Sequence, residues 1–279
     1  MRIARFDGGR IGVVRGDRIV DVTGACGVDP AEWPPMGMVE TIAAFADLRP
    51  AIEREVGRSA GVPLAEVRLE TPIPWPHKLL ALPANFRAHA AEMPDQQQLG
   101  ADEAGFFMKS AGALSGPADP ILLPHRPGRL FHHECEMAIV IGTGGRHIPL
   151  ADAGRHIFGY ACLIDVTMRG HEERVMRKSF DTFCPVGPWI TTADEVGETD
   201  DVVLRLWVNG ELRQQAPANE MVVGIREAVA NCSAVTTLQP GDIIASGTMA
   251  GVGPLVPGDS VRIAIDRVGE MTLAVRGEG

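Results

Sequence analysis

Two apolar runs that end in carboxylates constrain this chain more than any other feature. The first, Glu134-Cys135-Glu136 continuing through MAIVIG to 142, has the β-branched, apolar character of a strand, and turn glycines follow at 142, 144 and 145. The second, IFGYACLID at 157–165, is equally apolar and closes on Asp165. Side chains alternate along a strand, so Glu134 and Glu136 leave one face while Cys135 and Met137 leave the other. Neighbouring carboxylates repel, and burying them without a positive partner is costly. Three of them at two strand ends suit a hard divalent cation that prefers oxygen, Mg²⁺ or Mn²⁺, with waters or substrate oxygens completing its shell. Spacing alone is a weak signal here, because a bare E-x-E also describes the wet face of an edge strand.

A length of 279 residues allows one large domain, or a small one joined to a larger one. The 45% of hydrophobic residues supplies a substantial core. A net charge of −10 with no basic cluster argues against nucleic acid or an anionic membrane as partner. The opening MRIARFDGGR carries charges where a signal peptide needs its apolar stretch, and no apolar run approaches the roughly 18 residues of a membrane span. A soluble, cytoplasmic protein is expected. Cysteines at 26, 135, 162, 184 and 232 are odd in number and lack C-x-x-C spacing, which points away from a disulfide framework or zinc ribbon and toward five ordinary buried thiols.

Residues 1–75 open with short strand-like runs, RIARF, IGVV and RIVDV, read as a small meander, and 38–58 has helical character despite Pro50. TPIPWP at 71–76, with three prolines, reads as a stiff connector, dividing the chain into 1–75 and 76–279. Beyond it KLLAL (78–82) reads as the first core strand. His89 and Glu92 are three apart and share a face of a helical turn. A carboxylate beside an imidazole fixes its tautomer and raises its basicity, as a general base near neutral pH requires, although a surface pair fits the spacing equally. PDQQQLGADEAG (94–105) is a polar loop, either a lid over the site or plain surface. Lys109 after an apolar pair either reaches into the site as an anchor for a substrate carboxylate or snorkels to solvent. His132 falls on the face of Glu134 and His133 on the opposite one; an oxygen-rich site needs neither, and both stay outside the metal set.

Toward the C-terminus, VVLRLWVNGELRQ (202–214) is a hairpin turning at Asn209-Gly210. Ile225, Ala228, Val229, Cys232 and Val235 recur at helical spacing and predict one buried face. LQPGDIIASGT (238–248) predicts a strand in which Gly247 permits close backbone approach and the Thr248 hydroxyl can donate to a substrate carboxylate. VRIAI (261–265) and MTLAV (271–275) close the sheet. Strands dominate, and no G-x-G-x-x-G opens a helix after a strand, which disfavours a doubly wound nucleotide fold.

Taken in order, N-F-x-x-H-x-x-E (Asn85 to Glu92), F-x-K (Phe107 to Lys109), E-x-E-x-A-I-V-I-G (134–142), D-V-T-x-R (165–169), K-S-F-D-T-F-C-P-V-G-P (178–188), V-N-G-E-L-R-Q (208–214), L-Q-P-G-D-I-I-A-S-G-T (238–248) and G-V-G (251–253) resemble the fumarylacetoacetate hydrolase family. The resemblance implies a mainly β, α+β protein: a mixed β-sandwich roll as catalytic domain behind a small N-terminal α+β domain, usually a homodimer. It implies Glu134, Glu136 and Asp165 as ligands of Mg²⁺ or Mn²⁺, or of Ca²⁺ where a crystal supplies it. His89, Glu92 and Lys178 become catalytic residues, and Lys109, Arg169 and Thr248 substrate-binding ones.

The reaction implied is hydrolysis of a C–C bond in a β-diketo acid of the acylpyruvate or fumarylpyruvate kind, a step of aromatic-compound catabolism. It yields pyruvate or acetoacetate and a carboxylic acid. His89 would deprotonate water, and Lys178 would steady the developing enolate. Oxaloacetate-type decarboxylation and isomerisation of a hydroxy-diene-dioate use the same apparatus, and a non-catalytic dicarboxylate-binding protein is the remaining reading. Departures from the family stand at Phe86, where a tyrosine hydroxyl is lost, at Met249, usually proline, and at His171-Glu172-Glu173, where a glutamine is usual.

Overall fold

A computed structural model describes residues 1–92 and 101–278. Its strands form sheets of twelve, five and three strands. The strand Cys135–Ile141 lies inside the largest, antiparallel to Ile157–Ile164 on one side and to Ile243–Ala245 on the other. Every residue of the first two strands is buried. A strand covered on both faces has no wet side to mark by alternation, which is why both read as continuous apolar runs.

The same sheet continues in both directions. Leu79–Ala81 lies parallel to Ile243–Ala245, and Phe107–Met108 pairs with it. Across Ile157–Ile164 lies Cys184–Thr192, and beyond that the N-terminal strand Arg2–Phe6, with Ile3 opposite Ile190. The meander Arg2–Phe6, Arg10–Arg15 and Arg18–Asp21 therefore extends the sheet that carries the metal strand.

The five-stranded sheet orders Glu211–Pro217, Val203–Val208, Ser260–Ile265, Gly269–Gly277 and Ile121–Leu123. VRIAI and MTLAV thus close this second sheet, not the one bearing the carboxylates. Its first hairpin turns at Asn209 and Gly210, with φ of 53° and 82°, the left-handed pair that a two-residue hairpin demands. Leu204, Leu206 and Val208 alternate inward and face the first sheet.

Helices are few. The helical stretch at 38–58 becomes Gly37–Ala43 and Phe45–Arg58, with Pro50 inside the second. Ile225–Val235 buries Ile225, Ala228, Val229 and Cys232, but Val235, expected on that face, is 65% exposed because it is the last residue of the helix. Four cysteines are buried; Cys26, expected with them, is half-buried on the turn Thr23–Cys26. Of the lid expected at 94–105, residues 94–100 lie outside the described residues, and Ala101–Ala104 is a helical turn. Among the described residues no helix is long and apolar enough to cross a membrane.

Candidate active site

The carboxylates are assembled by sheet register. Cys135 opposes Ile164 and Glu136 opposes Leu163, so the residues one step outward, Glu134 and Asp165, face each other; Asp165 N–H donates to the Glu134 carbonyl at 2.9 Å. Directly opposed residues share a face, and Glu136 is two residues further along it. One oxygen from each of Glu134, Glu136 and Asp165 lies within 4.8 Å of the others, and all three residues are buried.

Cations are distributed unevenly over this cluster. Lys178 Nζ donates to Glu134 at 2.6 Å, Asp165 at 2.7 Å and Thr167 at 2.6 Å. Its ammonium is held above the ordinary lysine range: burial acts to lower it, but Asp165, Glu134 and Glu136 together outweigh that. Arg169 donates to Glu134 at 3.1 Å. Burial acts to raise Glu134, yet Lys178 and Arg169 hold it well below the usual carboxylate range. Glu136 instead receives only the Gly247 N–H, at 2.9 Å, among the described residues. Burial first, and then the Asp165 charge, push its carboxyl well above the usual range. A buried carboxylate without a cation, in a set of oxygen donors only, fits a divalent metal of the Mg²⁺ or Mn²⁺ kind.

The His89–Glu92 pair stands over the same cavity. His89, on the turn Arg87–Ala91, is buried, and its Nδ1 lies 3.1 Å from Glu92 Oε2. An ionised carboxylate only accepts, so Nδ1 carries the hydrogen and Nε2 remains as acceptor. Glu92 is itself fixed, since its Oε1 accepts from Gly251 N–H at 2.8 Å. Gly251 has φ of +95°, and a Cβ there would meet the Arg213 carbonyl at 1.9 Å, so only glycine delivers that N–H. Asn85 ties the base's loop to the opposite wall through Val223 and Ser246.

His89, Glu134, Glu136, Asp165, Arg169, Lys178 and Thr248 all line one cavity. Its free space is about 30 Å³, room for a water or two. Thr248 Oγ1 accepts from Gln214 Nε2 at 2.8 Å.

Lys109, expected at a substrate carboxylate or in solvent, reaches neither. It is buried behind Asp165, to which it donates, and also donates to the Phe183 carbonyl at 3.1 Å. It neutralises a ligand from the rear. Phe86 is buried outside the cavity wall, so its lost hydroxyl removes nothing from the site. His132 accepts from Arg169 through Nδ1 at 3.0 Å, and His133 pairs with Gln214 at 3.0 Å; both stand apart from the carboxylate cluster. Sequence reasoning missed Gln214, Gly251, Arg174 and Arg177 as functional positions; the last two line the cavity from the short helix Arg174–Arg177.

A buried cluster of oxygen ligands beneath a carboxylate-oriented imidazole defines a metal-dependent enzyme. Residues 78–276 match the fumarylacetoacetate (FAA) hydrolase C-terminal model, and the chain belongs to that family. Over its whole length it resembles the crystal structure of maleylpyruvate hydrolase from Sphingobium sp. SYK-6, in complex with manganese(II) ion and pyruvate. That match has a TM-score of 0.92 and 52% identity, covering 100% of both chains. It is 38% identical to a maleylpyruvate hydrolase of Aquipseudomonas alcaligenes over 99% of each chain. An oxaloacetate tautomerase of Bacillus subtilis is 35% identical over 75% of this chain and 73% of its own.

Proposed function

We propose that this enzyme hydrolyses the C–C bond of an acylpyruvate, with a maleylpyruvate-like diketo acid as substrate, to pyruvate and a carboxylic acid. The observation that carries the reading is the facing of the His89–Glu92 pair and the three-carboxylate cluster across one cavity. Full-length likeness to two maleylpyruvate hydrolases supports it.

Glu134, Glu136 and Asp165 would hold the cation, which when bound would polarise a substrate carbonyl and offset negative charge. His89 Nε2 takes a proton from water, and Glu92 steadies the imidazolium that forms. Lys178 keeps a fixed positive charge where the departing carbon becomes enolate-like. Thr248 donates its hydroxyl hydrogen to a substrate carboxylate, and Arg169 holds Glu134 in place. Atoms balance: water supplies hydroxyl to the acyl carbon and a proton to the pyruvate methyl.

The test is turnover of an acylpyruvate and oxaloacetate panel with Mg²⁺ or Mn²⁺, with products identified, for the wild type and His89→Ala. Pyruvate and acid from the acylpyruvate, lost in His89→Ala, establish hydrolysis. Keto–enol exchange of oxaloacetate alone moves the enzyme to a tautomerase reading, the activity for which the Bacillus relative is named, and CO₂ release alone moves it to a decarboxylase reading. A homodimer in the cytoplasm, and a division of the chain at 75/76, are part of the same proposal; light scattering and limited proteolysis test the assembly and the boundary.

A further inference from the structure

Two of the three carboxylates at the floor of the cavity, Glu134 and Asp165, are already served by cations. Lys178 and Arg169 pair with Glu134, and Lys178 and Lys109 with Asp165. Two more guanidinium groups line the same cavity, from Arg174 and Arg177, and neither has an ion-pair partner among the described residues. Of the acids beside them, Glu172 is engaged by Arg129, and Glu173 is exposed and makes no ion pair among the described residues. Arg174 lies on the ring of Phe107 at 5.1 Å, and Arg177 spends its Nε on the Glu172 carbonyl at 2.8 Å. Both are therefore oriented, and their terminal nitrogens have no hydrogen-bond partner among the described residues. Burial, and then the charges of Arg169 and Arg174, lower the basicity of Arg177, the mark of a crowded positive wall. The two arginines are half-buried where the carboxylates are buried, which puts them on the solvent side of the cavity.

We propose that Arg174 and Arg177 form the specificity wall of the enzyme, binding a second carboxylate at the tail of the acyl group while the oxo-acid head lies against the Glu134–Glu136–Asp165 floor. The inference rests on the proposed hydrolysis and names its substrate class: an acylpyruvate that ends in a carboxylate, in preference to one with a neutral tail. A guanidinium pair with fixed stacking suits a planar carboxylate because it can meet both oxygens at once.

The test compares kcat/KM for a dicarboxylic acylpyruvate and for acetylpyruvate, in the metal-loaded wild type, Arg174→Gln, Arg177→Gln and Arg177→Lys. The wild type is expected to favour the dicarboxylic substrate, and each glutamine variant to lower that selectivity about tenfold, chiefly through KM. Arg177→Lys should restore only part of it, because a point charge lacks the two-pronged geometry. A wild type that treats both substrates alike overturns the proposal without any variant, as does a selectivity unchanged in both glutamine variants. If the wild type releases pyruvate from neither substrate, the hydrolase reading itself fails; cleavage of both at equal efficiency sinks only the specificity wall.

Discussion

Nε2 of Gln214 donates to the hydroxyl oxygen of Thr248 at 2.8 Å, while Oε1 of the same amide accepts from Cys135 N–H at 3.0 Å. One buried side chain thereby connects the strand of metal ligands to the threonine of the substrate wall. Its orientation is not interchangeable, since Cys135 N–H can only donate and the Met249 carbonyl, at 2.8 Å from Nε2, can only accept. With Oγ1 occupied as acceptor, the Thr248 hydroxyl donates to the Met249 sulfur at 3.9 Å, a weak acceptor that a substrate oxygen can replace. Gln214→Leu strands the Cys135 N–H and the Met249 carbonyl, and is expected to lower stability by about 3 kcal/mol and to raise KM. Urea unfolding and steady-state kinetics check it; a variant as stable as the wild type would show that the network carries no weight.

Glu136 is the ligand that the metal-free protein tolerates worst. Its carboxyl is raised in the folded state, so the folded chain binds a proton that the unfolded chain releases above 4.5. The Glu136 contribution to the stability of the metal-free protein should accordingly be full below that value and be lost as pH rises above it, opposite in sign to that of Glu134. Glu136→Gln removes the effect: the variant should melt higher than the metal-free wild type near pH 7, yet gain nothing from added Mn²⁺. Thermal melts with and without the ion distinguish the two, and a full Mn²⁺ shift in the variant would exclude Glu136 as a ligand.

His89→Ala should cut kcat by roughly 10²–10⁴, the usual contribution of a positioned base, while leaving Mn²⁺ affinity in place. Glu92→Gln keeps the imidazole but surrenders its tautomer, and a smaller loss of kcat is expected. Gly251→Ala should resemble it, because the added methyl meets the Arg213 carbonyl and draws the N–H away from Glu92. Equal activity of Glu92→Gln and wild type would mean that the pair is only an exposed contact.

The thiols should be silent. Burial raises Cys184 and Cys232 to about 12 and lifts Cys135 and Cys162 as well, leaving almost no thiolate at pH 8. A thiol reagent should find only Cys26, slowly, in the native protein, and all five after denaturation. Rapid labelling of a second native thiol would contradict the buried sheet.

How much of this was readable from the chain depends on the range of each interaction. Strand alternation puts Glu134 and Glu136 on one face and the end of the next apolar run offers Asp165, but only the resemblance to the family singles the three out as a ligand set. His89 and Glu92 follow from one helical turn. Lys109 did not, because nothing near it in the chain reveals that Asp165 waits behind the strand. Arg174 and Arg177 escaped for a different reason: a four-residue helix is too short to show a period, and charged residues in a polar stretch look like solvent. The apolar runs VRIAI and MTLAV announced strands but not their sheet, which is chosen by partners far away in sequence.

The pairing of Arg2–Phe6 with Cys184–Thr192 sets a delay into the birth of this molecule. At roughly 5–20 residues per second on the ribosome, the first strand waits on the order of 10–40 s for its neighbour to emerge. Through that interval Arg2 and Ile3 lack their Cys184–Thr192 partner, while Arg5 and Phe6 already have Leu69–Glu70 to pair with. An early stretch is thus among the last to be sealed, and a chaperone that holds nascent edges would find its customer there.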